Sequence, residues 1–445
     1  MTSRSRRLRA GLGAAALSIA LVAAACTQTA GPTGTLPPLS SPDRSPSPVP
    51  TGKGSAAAAM KKLCVPPKGE DTSPAPAGPT PPEIATVEHQ VEAVRGLSYI
   101  RPVGVEPITQ SQMDAKLSRS FDASYPAAFW NRRSRAWQTI GVIPAGTSLL
   151  AALLKFQTGE VAGFYDPDKG RLVYIGTTQL DLIQKFTLAH ELTHAIDDQH
   201  FNLRRLEAFD RSCSDEHEMA ALGAVEGSAQ YFATQVLQRF PDDLPLGNTD
   251  GGGSLDGVPP FLTALELWPY TAGQAFITAL DARGGLAAVN QAIRHLPSST
   301  EQVMHPELYP NDTPQPVDGA NLGRKLGAGW HDLDVEQVGE EWLKEMLELR
   351  SDADTAARAA AGWDGGLYRA WSDGTNTAVV LKTVWDAPAD AADFANSAKQ
   401  WIADSSGQQA FVVQPDASTV EIGFASDAAT LASLRAADRL SLPGT

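Results

Sequence analysis

Residues 190–194 read His-Glu-Leu-Thr-His, and these residue types at this spacing can bind a metal ion and activate water. Two residues four apart lie on one face of an α-helix, so the imidazoles of His190 and His194 can reach the same ion. The carboxylate of Glu191 lies beside them and can accept a proton from water at that ion. The pattern is typical of a catalytic zinc site, which takes three protein ligands and keeps one position for water.

The third ligand has two main candidates. Glu226 lies on a second predicted helical stretch and would complete a site with two histidines and one glutamate. His200 lies ten residues after His190, which is the spacing of the third histidine in H-E-x-x-H-x-x-G-x-x-H. That site needs a sharp turn at the glycine position, which Asp197 occupies here, and a continuous helix would carry His200 away. Three further side chains are expected to be solvated or structural: Glu216, His217 and Glu218.

Three predicted elements position these residues. Residues 179–200 are expected to form one long helix, because apolar side chains recur at helical spacing along that segment. A second helix is expected at about residues 217–240. Ahead of both, residues 162–175 contain two short β-prone runs around an Asp-Pro-Asp-Lys-Gly turn, which predicts a β-hairpin.

The first 26 residues predict export. Arginines within residues 4–9 precede an apolar run at residues 11–25, which has the form of a signal peptide and is short for a membrane span. Three alanines then precede Cys26. This end resembles the lipobox of bacterial lipoproteins, although Ala23 replaces the favoured leucine. The resemblance implies a lipidated Cys26 and a protein anchored in the cell envelope, at the outer face of the cytoplasmic membrane or the cell surface; an ordinary cleavable signal is the alternative.

Cysteine usage fits an oxidising compartment. The chain has three cysteines, and lipidation of Cys26 leaves Cys64 and Cys213 as an even pair. We expect a disulfide between these two residues, which would join the end of the N-terminal segment to the catalytic domain. The alternative is two free, buried thiols.

The segment at residues 27–82 differs in composition from the rest of the chain. It is dominated by Pro, Gly, Ser, Thr and Ala, so it cannot bury a core and is expected to be a disordered, semi-extended tether. Membrane contact is expected only through the lipid anchor. The formal net charge of −15 argues against nucleic acid as a partner, because phosphate binding needs a basic surface.

The remaining chain predicts an α+β fold in two parts. Residues 83–355 are expected to be mainly helical with a small hairpin sheet, and they include helices at residues 83–96 and 116–140. Pro126 should interrupt the second of these. Residues 356–445 show the order β-β-α-β-β-α, which suggests a small α+β subdomain packed on the first part.

Several motifs occur in a fixed order. Gly-Phe-Tyr-Asp at residues 163–166 precedes the His-Glu-Leu-Thr-His helix, and Glu-Gly-Ser-Ala at residues 226–229 follows it. Segments 270–273 and 297–309 lie downstream. Across about residues 160–400 this combination resembles gluzincins, the zinc peptidases with His, His and Glu ligands, and more closely a set of bacterial secreted or lipoprotein metallopeptidases. The resemblance implies a zincin-like fold for the first part of the chain.

The same resemblance implies roles for individual residues. His190, His194 and Glu226 would bind Zn²⁺, and Glu191 would be the general base. Gluzincins stabilise the oxyanion with a histidine or tyrosine, which indicates, in order of preference, His305, Tyr309 and Tyr270. In zincins a peptide substrate extends an edge strand beside the metal helix, and residues 172–175 would be that strand unless they form a core strand.

Two positions depart from the gluzincin pattern. Ser228 stands where an aspartate is expected, and Gln230 stands where thermolysin-like sequences have one. The partner that orients a zinc-binding histidine is therefore not evident, and Asp197 and Asp198 are the possible substitutes.

The sequence thus predicts a membrane-tethered, extracytoplasmic zinc metallopeptidase that acts on peptides or proteins. The alternatives are a zinc-binding envelope protein without catalysis and a surface-binding lipoprotein in which the motif is incidental. No feature of the sequence indicates an oligomeric state.

Overall fold

The computed structural model describes residues 55–64, 80–124, 126–160, 163–176, 180–206, 209, 214–241 and 255–439. The predicted signal peptide, Cys26, most of the predicted tether and Cys213 lie outside these residues. The described part has an α+β fold in which helices pack on two β-sheets. No helix within it is both long and apolar enough to cross a lipid bilayer.

The elements follow one another in chain order. The helices are α1 Ser55–Leu63, α2 Pro82–Arg95, α3 Gln110–Ser124, α4 Ala127–Ile140, α5 Leu149–Glu160, α6 Leu182–Phe201, α7 Asp215–Arg239, α8 Pro260–Arg294, α9 Thr300–Met304, α10 Gly323–Leu326, α11 Glu340–Glu348, α12 Ala353–Ala360, α13 Pro388–Ala403 and α14 Ala428–Arg439. The strands are β1 Gly104–Ile108, β2 Gly163–Asp166, β3 Arg171–Ile175, β4 His331–Gln337, β5 Trp363–Ser372, β6 Thr377–Trp385, β7 Gln409–Asp416 and β8 Thr419–Ala425.

The predicted helices of the first part are confirmed. Helix α2 begins at Pro82 and ends before Gly96, whose left-handed φ of 68° terminates it. Helices α3 and α4 are separated at Pro126, as expected for a residue that cannot continue a helix. Helices α6 and α7 lie within two residues of most of the predicted boundaries.

The first sheet contains the predicted hairpin, but its edge is not where the sequence placed it. Strands β2 and β3 pair antiparallel, and β1 pairs parallel to the other side of β3. Because the order is β1-β3-β2, residues 172–175 form the central strand, and the expectation of an edge strand there is wrong. The edge beside α6 is β2, and Phe186 of α6 and Tyr165 of β2 share one hydrophobic cluster.

The second sheet carries the C-terminal part. Its order is β4-β5-β6-β8-β7 with antiparallel pairing throughout, and the predicted β-β-α-β-β-α order is present from β5 to α14. Strand β4 precedes the boundary predicted at residues 355 and 356, so this sheet begins earlier than expected. One hydrophobic cluster contains both Phe164 of the first sheet and Phe424 of the second, so the two parts share a continuous core.

Residues 55–64 differ from the expected disordered tether, because they include the packed helix α1. Ala56, Ala59 and Leu63 pack against Val335 and Leu367 of the second sheet. The tether prediction is therefore wrong for this alanine-rich stretch, whose high helix propensity and small side chains permit close packing. Its last residue, Cys64, is disulfide-bonded, and the predicted pairing with Cys213 stays a prediction because Cys213 lies outside the described residues.

Candidate metal centre

Helix α6 is capped where it begins and continues past the histidines. The side chain of Asp181 accepts a hydrogen bond from the Gln184 N–H, and the Gln184 side chain accepts one from the Asp181 N–H. The helix continues to Phe201, so His190 and His194 lie on one face, and both are buried.

Three ligand atoms converge at this face. Nε2 of His190 lies 3.0 Å from Oε2 of Glu226, and Nε2 of His194 lies 3.2 Å from the same oxygen. The two Nε2 atoms are 3.1 Å apart. Ligand atoms bound tetrahedrally to zinc at 2.0–2.1 Å would be about 3.3 Å apart, so this spacing fits an ion between them. Among the described residues, this is the cluster of three ionisable side chains that could hold a metal.

The electrostatics of the cluster favour a bound positive charge. Burial opposes a charge on His194, but the carboxylate of Glu226 outweighs it and raises the pKa of His194 to about 9. Burial also opposes the charge on Glu226, yet the two histidines lower the pKa of this carboxyl to about 2. Two neutral imidazoles and one carboxylate form the donor set of a catalytic zinc site, and a divalent cation would supply the positive charge that a proton on His194 supplies here.

The ring of His190 is oriented by packing. It lies edge-on to His194, with ring centroids 4.7 Å apart, and stacks on Tyr270 with centroids 5.9 Å apart. Phe186 lies near the same ring. Nδ1 of His190 has no hydrogen-bond partner among the described residues. Aromatic contacts therefore take the place of the usual hydrogen bond to a metal-binding histidine.

Glu191 lies between the cluster and strand β2. Its Oε2 accepts a hydrogen bond of 2.7 Å from the backbone N–H of Tyr165, and the Glu191 side chain is fully buried. This N–H points away from β3 towards α6. The charge of Glu191 also contributes to the raised pKa of His194.

Glu226 reaches the histidines because α7 and α8 pack with their backbones in contact. A Cβ atom on Gly227 would lie 2.2 Å from the carbonyl carbon of Gly273, and one on Gly273 would lie 2.0 Å from the Gly223 oxygen. Gly227 follows Glu226 directly, and Tyr270 lies one turn before Gly273. The close approach of the two backbones therefore requires glycine in the motifs at residues 226–229 and 270–273.

The alternative third ligand faces elsewhere. A ring nitrogen of His200 bonds to the Ser98 carbonyl at 2.8 Å, on an exposed part of α6. The helix runs on through His200 with no turn at Asp197, so the structure brings Glu226 and not His200 to the histidine pair.

Two of the three oxyanion candidates are engaged away from the cluster. His305 forms an ion pair with Glu340 at 2.9 Å. The hydroxyl of Tyr309 donates to the His295 carbonyl at 2.7 Å, and its ring packs against Phe276. Tyr270, the last of the three in the predicted order, is the one whose ring contacts His190.

The weaker acidic candidates of α7 also lie away from the cluster. Glu216 is buried, contrary to the solvated position expected, and accepts hydrogen bonds from the backbone and hydroxyl of Thr300. His217 is buried, and desolvation lowers its pKa to about 4. Glu218 is half-buried on the same turn.

Asp197 and Asp198, the possible substitutes for the missing second aspartate, bond to groups other than the histidine rings. Asp197 accepts hydrogen bonds from Arg95 and Ser228. Asp198 accepts hydrogen bonds from the Tyr165 hydroxyl and the backbone of residue 203. Sequence reasoning missed Arg95, because an arginine in the last turn of a helix is ordinary and its partner lies 102 residues away.

Residues 325–439 match the family described as Domain of unknown function (DUF8575). The matched segment contains the whole second sheet, including β4, and lies outside the three converging ligand residues. No curated protein and no solved structure matches the chain.

Proposed function

We propose that this chain is a zinc metallopeptidase, tethered to the outside of a bacterial membrane, that hydrolyses peptide bonds. The observation that carries the proposal is the convergence of His190, His194 and Glu226, with ligand atoms 3.0–3.2 Å apart, next to the carboxylate of Glu191. The arrangement of α6, α7 and the edge strand β2 supports a zincin-like assignment. The signal-peptide pattern, Cys26 and the proline-rich segment support the location.

Each residue has a defined part in the proposed reaction. A bound zinc ion would polarise the scissile carbonyl and lower the pKa of a water molecule. Glu191 accepts the proton of the attacking water and delivers it to the leaving amine, while the Tyr165 N–H holds the carboxylate in place. Tyr270 is our candidate for the oxyanion donor, because its ring lies against His190.

The edge strand suggests how a substrate is held. Strand β2 pairs with β3 on one side, and its other side faces the metal helix through the Tyr165 N–H. An extended peptide would add to this side of the sheet, which places its backbone beside Glu191. This proposal replaces the central strand β3 with β2 as the substrate-binding strand.

Zinc content and casein hydrolysis of the purified protein test the proposal. The wild type should contain about one zinc per chain and cleave casein. Glu191→Gln should keep the zinc and lose nearly all hydrolysis, because an amide cannot accept the proton. Glu218→Gln, a matched change on a half-buried carboxylate of α7, should retain both properties.

The other outcomes discriminate between the alternatives. Zinc binding without hydrolysis of any protein substrate would favour a non-catalytic zinc-binding lipoprotein. Absence of zinc from a folded wild type would contradict the proposal and leave the motif incidental.

A further inference from the structure

A buried polar network connects four helices behind the metal ligands. The hydroxyl of Ser228 donates to Oδ2 of Asp197 at 2.8 Å, and Nε of Arg95 donates to Oδ1 of the same carboxylate at 2.8 Å. Nη1 of Arg95 donates to Asn290 at 2.6 Å. These residues come from α7, α6, α2 and the second half of α8.

The network lies one helical turn from the ligands. Asp197 follows His194 by three residues on α6, and Ser228 follows Glu226 by two residues on α7. The hydrogen bond between Asp197 and Ser228 therefore spans the same two helices that the ligand cluster spans. Arg95, Asp197 and Ser228 are each at most 1% exposed, so water cannot replace this contact.

Arg95 holds the Asp197 carboxylate in one orientation. Its guanidinium lies 4.8 Å from the ring centroid of Phe232 and 5.6 Å from that of Phe201, so its surroundings on those sides are aromatic. A buried arginine of this kind needs its carboxylate partner, and a buried carboxylate needs its donors. With Oδ1 bound to Arg95, Oδ2 of Asp197 is directed towards α7 and accepts the hydrogen bond from Ser228.

We propose that Asp197 and Ser228 are positioning residues for the metal centre, with Arg95 as the support that orients Asp197. The proposal rests on the zinc site proposed above. Nδ1 of His190 has no hydrogen-bond partner within the described part of the chain, and the Asp197–Ser228 bond would fix the spacing of the two helices while aromatic contacts orient that ring. The proposal also explains the serine at the position where gluzincins were expected to have an aspartate, since a second carboxylate would face Asp197.

The test measures zinc affinity of the full chain with a competing chromophoric chelator and records the absorption spectrum after cobalt substitution. Ser228→Ala should weaken zinc binding about tenfold and alter the cobalt bands, because outer partners of metal ligands typically contribute about 10–100-fold. Asp197→Asn should weaken it by at least as much. Combining the two changes should cost no more than the larger single effect, since both act on the contact between Asp197 and Ser228.

Two variants separate positioning from general stability. Thr234→Ala removes a hydroxyl from the same helix that donates to the Gln230 carbonyl within α7 and accepts a longer bond of 3.4 Å from Gln274 of α8, and it should leave zinc affinity within about twofold. Ser228→Thr keeps the hydroxyl and should retain the wild-type cobalt spectrum. Circular dichroism and urea unfolding of each metal-free variant show whether it is folded.

The outcomes of this test and of the zinc proposal can be told apart. Folded wild type that binds no zinc overturns both. Wild type that binds zinc, with Ser228→Ala and Asp197→Asn matching its affinity and cobalt spectrum, overturns the positioning role alone. If Ser228→Ala fails to fold, the cobalt spectra of Asp197→Asn and Ser228→Thr test the positioning role instead. An altered spectrum for Asp197→Asn and a wild-type spectrum for Ser228→Thr would support it.

Discussion

Helix α7 contributes carboxylates to two clusters whose negative charge is balanced differently. In its first turn, Asp215 contacts the buried Arg133, which also binds Asp334 at 2.7 Å and Glu336 at 3.2 Å. In its middle, the ion-pair partners of Glu226 among the described residues are His190 and His194. The first region contains a permanent cation, whereas the second depends on a proton or a metal ion. The comparison separates a structural charge network from a site that is built to receive a cation.

Glu216 is a third case, next to Asp215. Within the described residues its hydrogen bonds come from Thr300, and burial raises its pKa to about 8 against those bonds. This carboxyl is therefore accommodated largely by protonation. Three acids on one helix, Asp215, Glu216 and Glu226, thus pair with an arginine, a proton and, in our proposal, zinc.

The largest expected effect is at the second region. Glu226→Ala should weaken zinc binding by orders of magnitude while the fold is retained, because it removes a ligand and also a buried negative charge. His200→Ala should bind zinc as the wild type does. Isothermal titration with zinc checks both, and loss of binding in His200→Ala alone would point to a three-histidine site.

Removal of the permanent cation should affect folding and not metal binding. Arg133→Met leaves three carboxylates without their partner and should lower the free energy of unfolding by about 3–5 kcal/mol. Zinc stoichiometry of the folded fraction should stay at the wild-type value. Urea denaturation measures the free energy of unfolding, and a variant as stable as wild type would show that the network is not what stabilises this region.

A change that disturbs the packing of α7 on α8 should lower both the free energy of unfolding and the zinc affinity. Gly273→Ala forces a methyl group against the α7 backbone and should cost about 1–3 kcal/mol of stability, with weaker zinc binding as Glu226 is displaced. Gly223→Ala is the matched change, because its Cβ would meet only side chains of Trp268 and Val303 at 3.1–3.3 Å. A larger loss for Gly223→Ala would contradict this packing.

The last expected effect is a change in the pH dependence of stability at Glu216. Because its folded pKa of about 8 exceeds the model-peptide value of 4.5, the folded state holds the proton more tightly. Its stabilising contribution is complete below about pH 4.5 and is lost as pH rises to about 8. Glu216→Gln should flatten the decline of unfolding free energy over this window, as measured by urea denaturation at a series of pH values.

Local patterns in the sequence predicted the elements that carry the ligands. Helical spacing of apolar residues located α6 and α7, and the Asp-Pro-Asp-Lys-Gly turn located the hairpin. The Glu-Gly-Ser-Ala motif pointed to Glu226, which the structure places beside the two histidines. These signals lie within segments of about 25 residues, where helix and turn geometry act directly.

Contacts between distant segments could not be predicted in this way. The parallel pairing of β1 with β3 and the addition of β4 to the second sheet depend on which strands meet in space. Arg133 and Asp334 are 201 residues apart, and no periodicity connects them. The same limitation explains why the sequence did not indicate which oxyanion candidate contacts the cluster, because Tyr309 and His305 bond to partners that no local pattern indicates.

The most direct test of the metal site is an anomalous difference map from zinc-loaded crystals, recorded on both sides of the zinc absorption edge. We expect one strong peak about 2.0–2.2 Å from Nε2 of His190, Nε2 of His194 and a carboxylate oxygen of Glu226. Crystals of Glu226→Ala should lack that peak under the same soak. A peak at His200, or no peak between the two histidines of the wild type, would contradict the metal site.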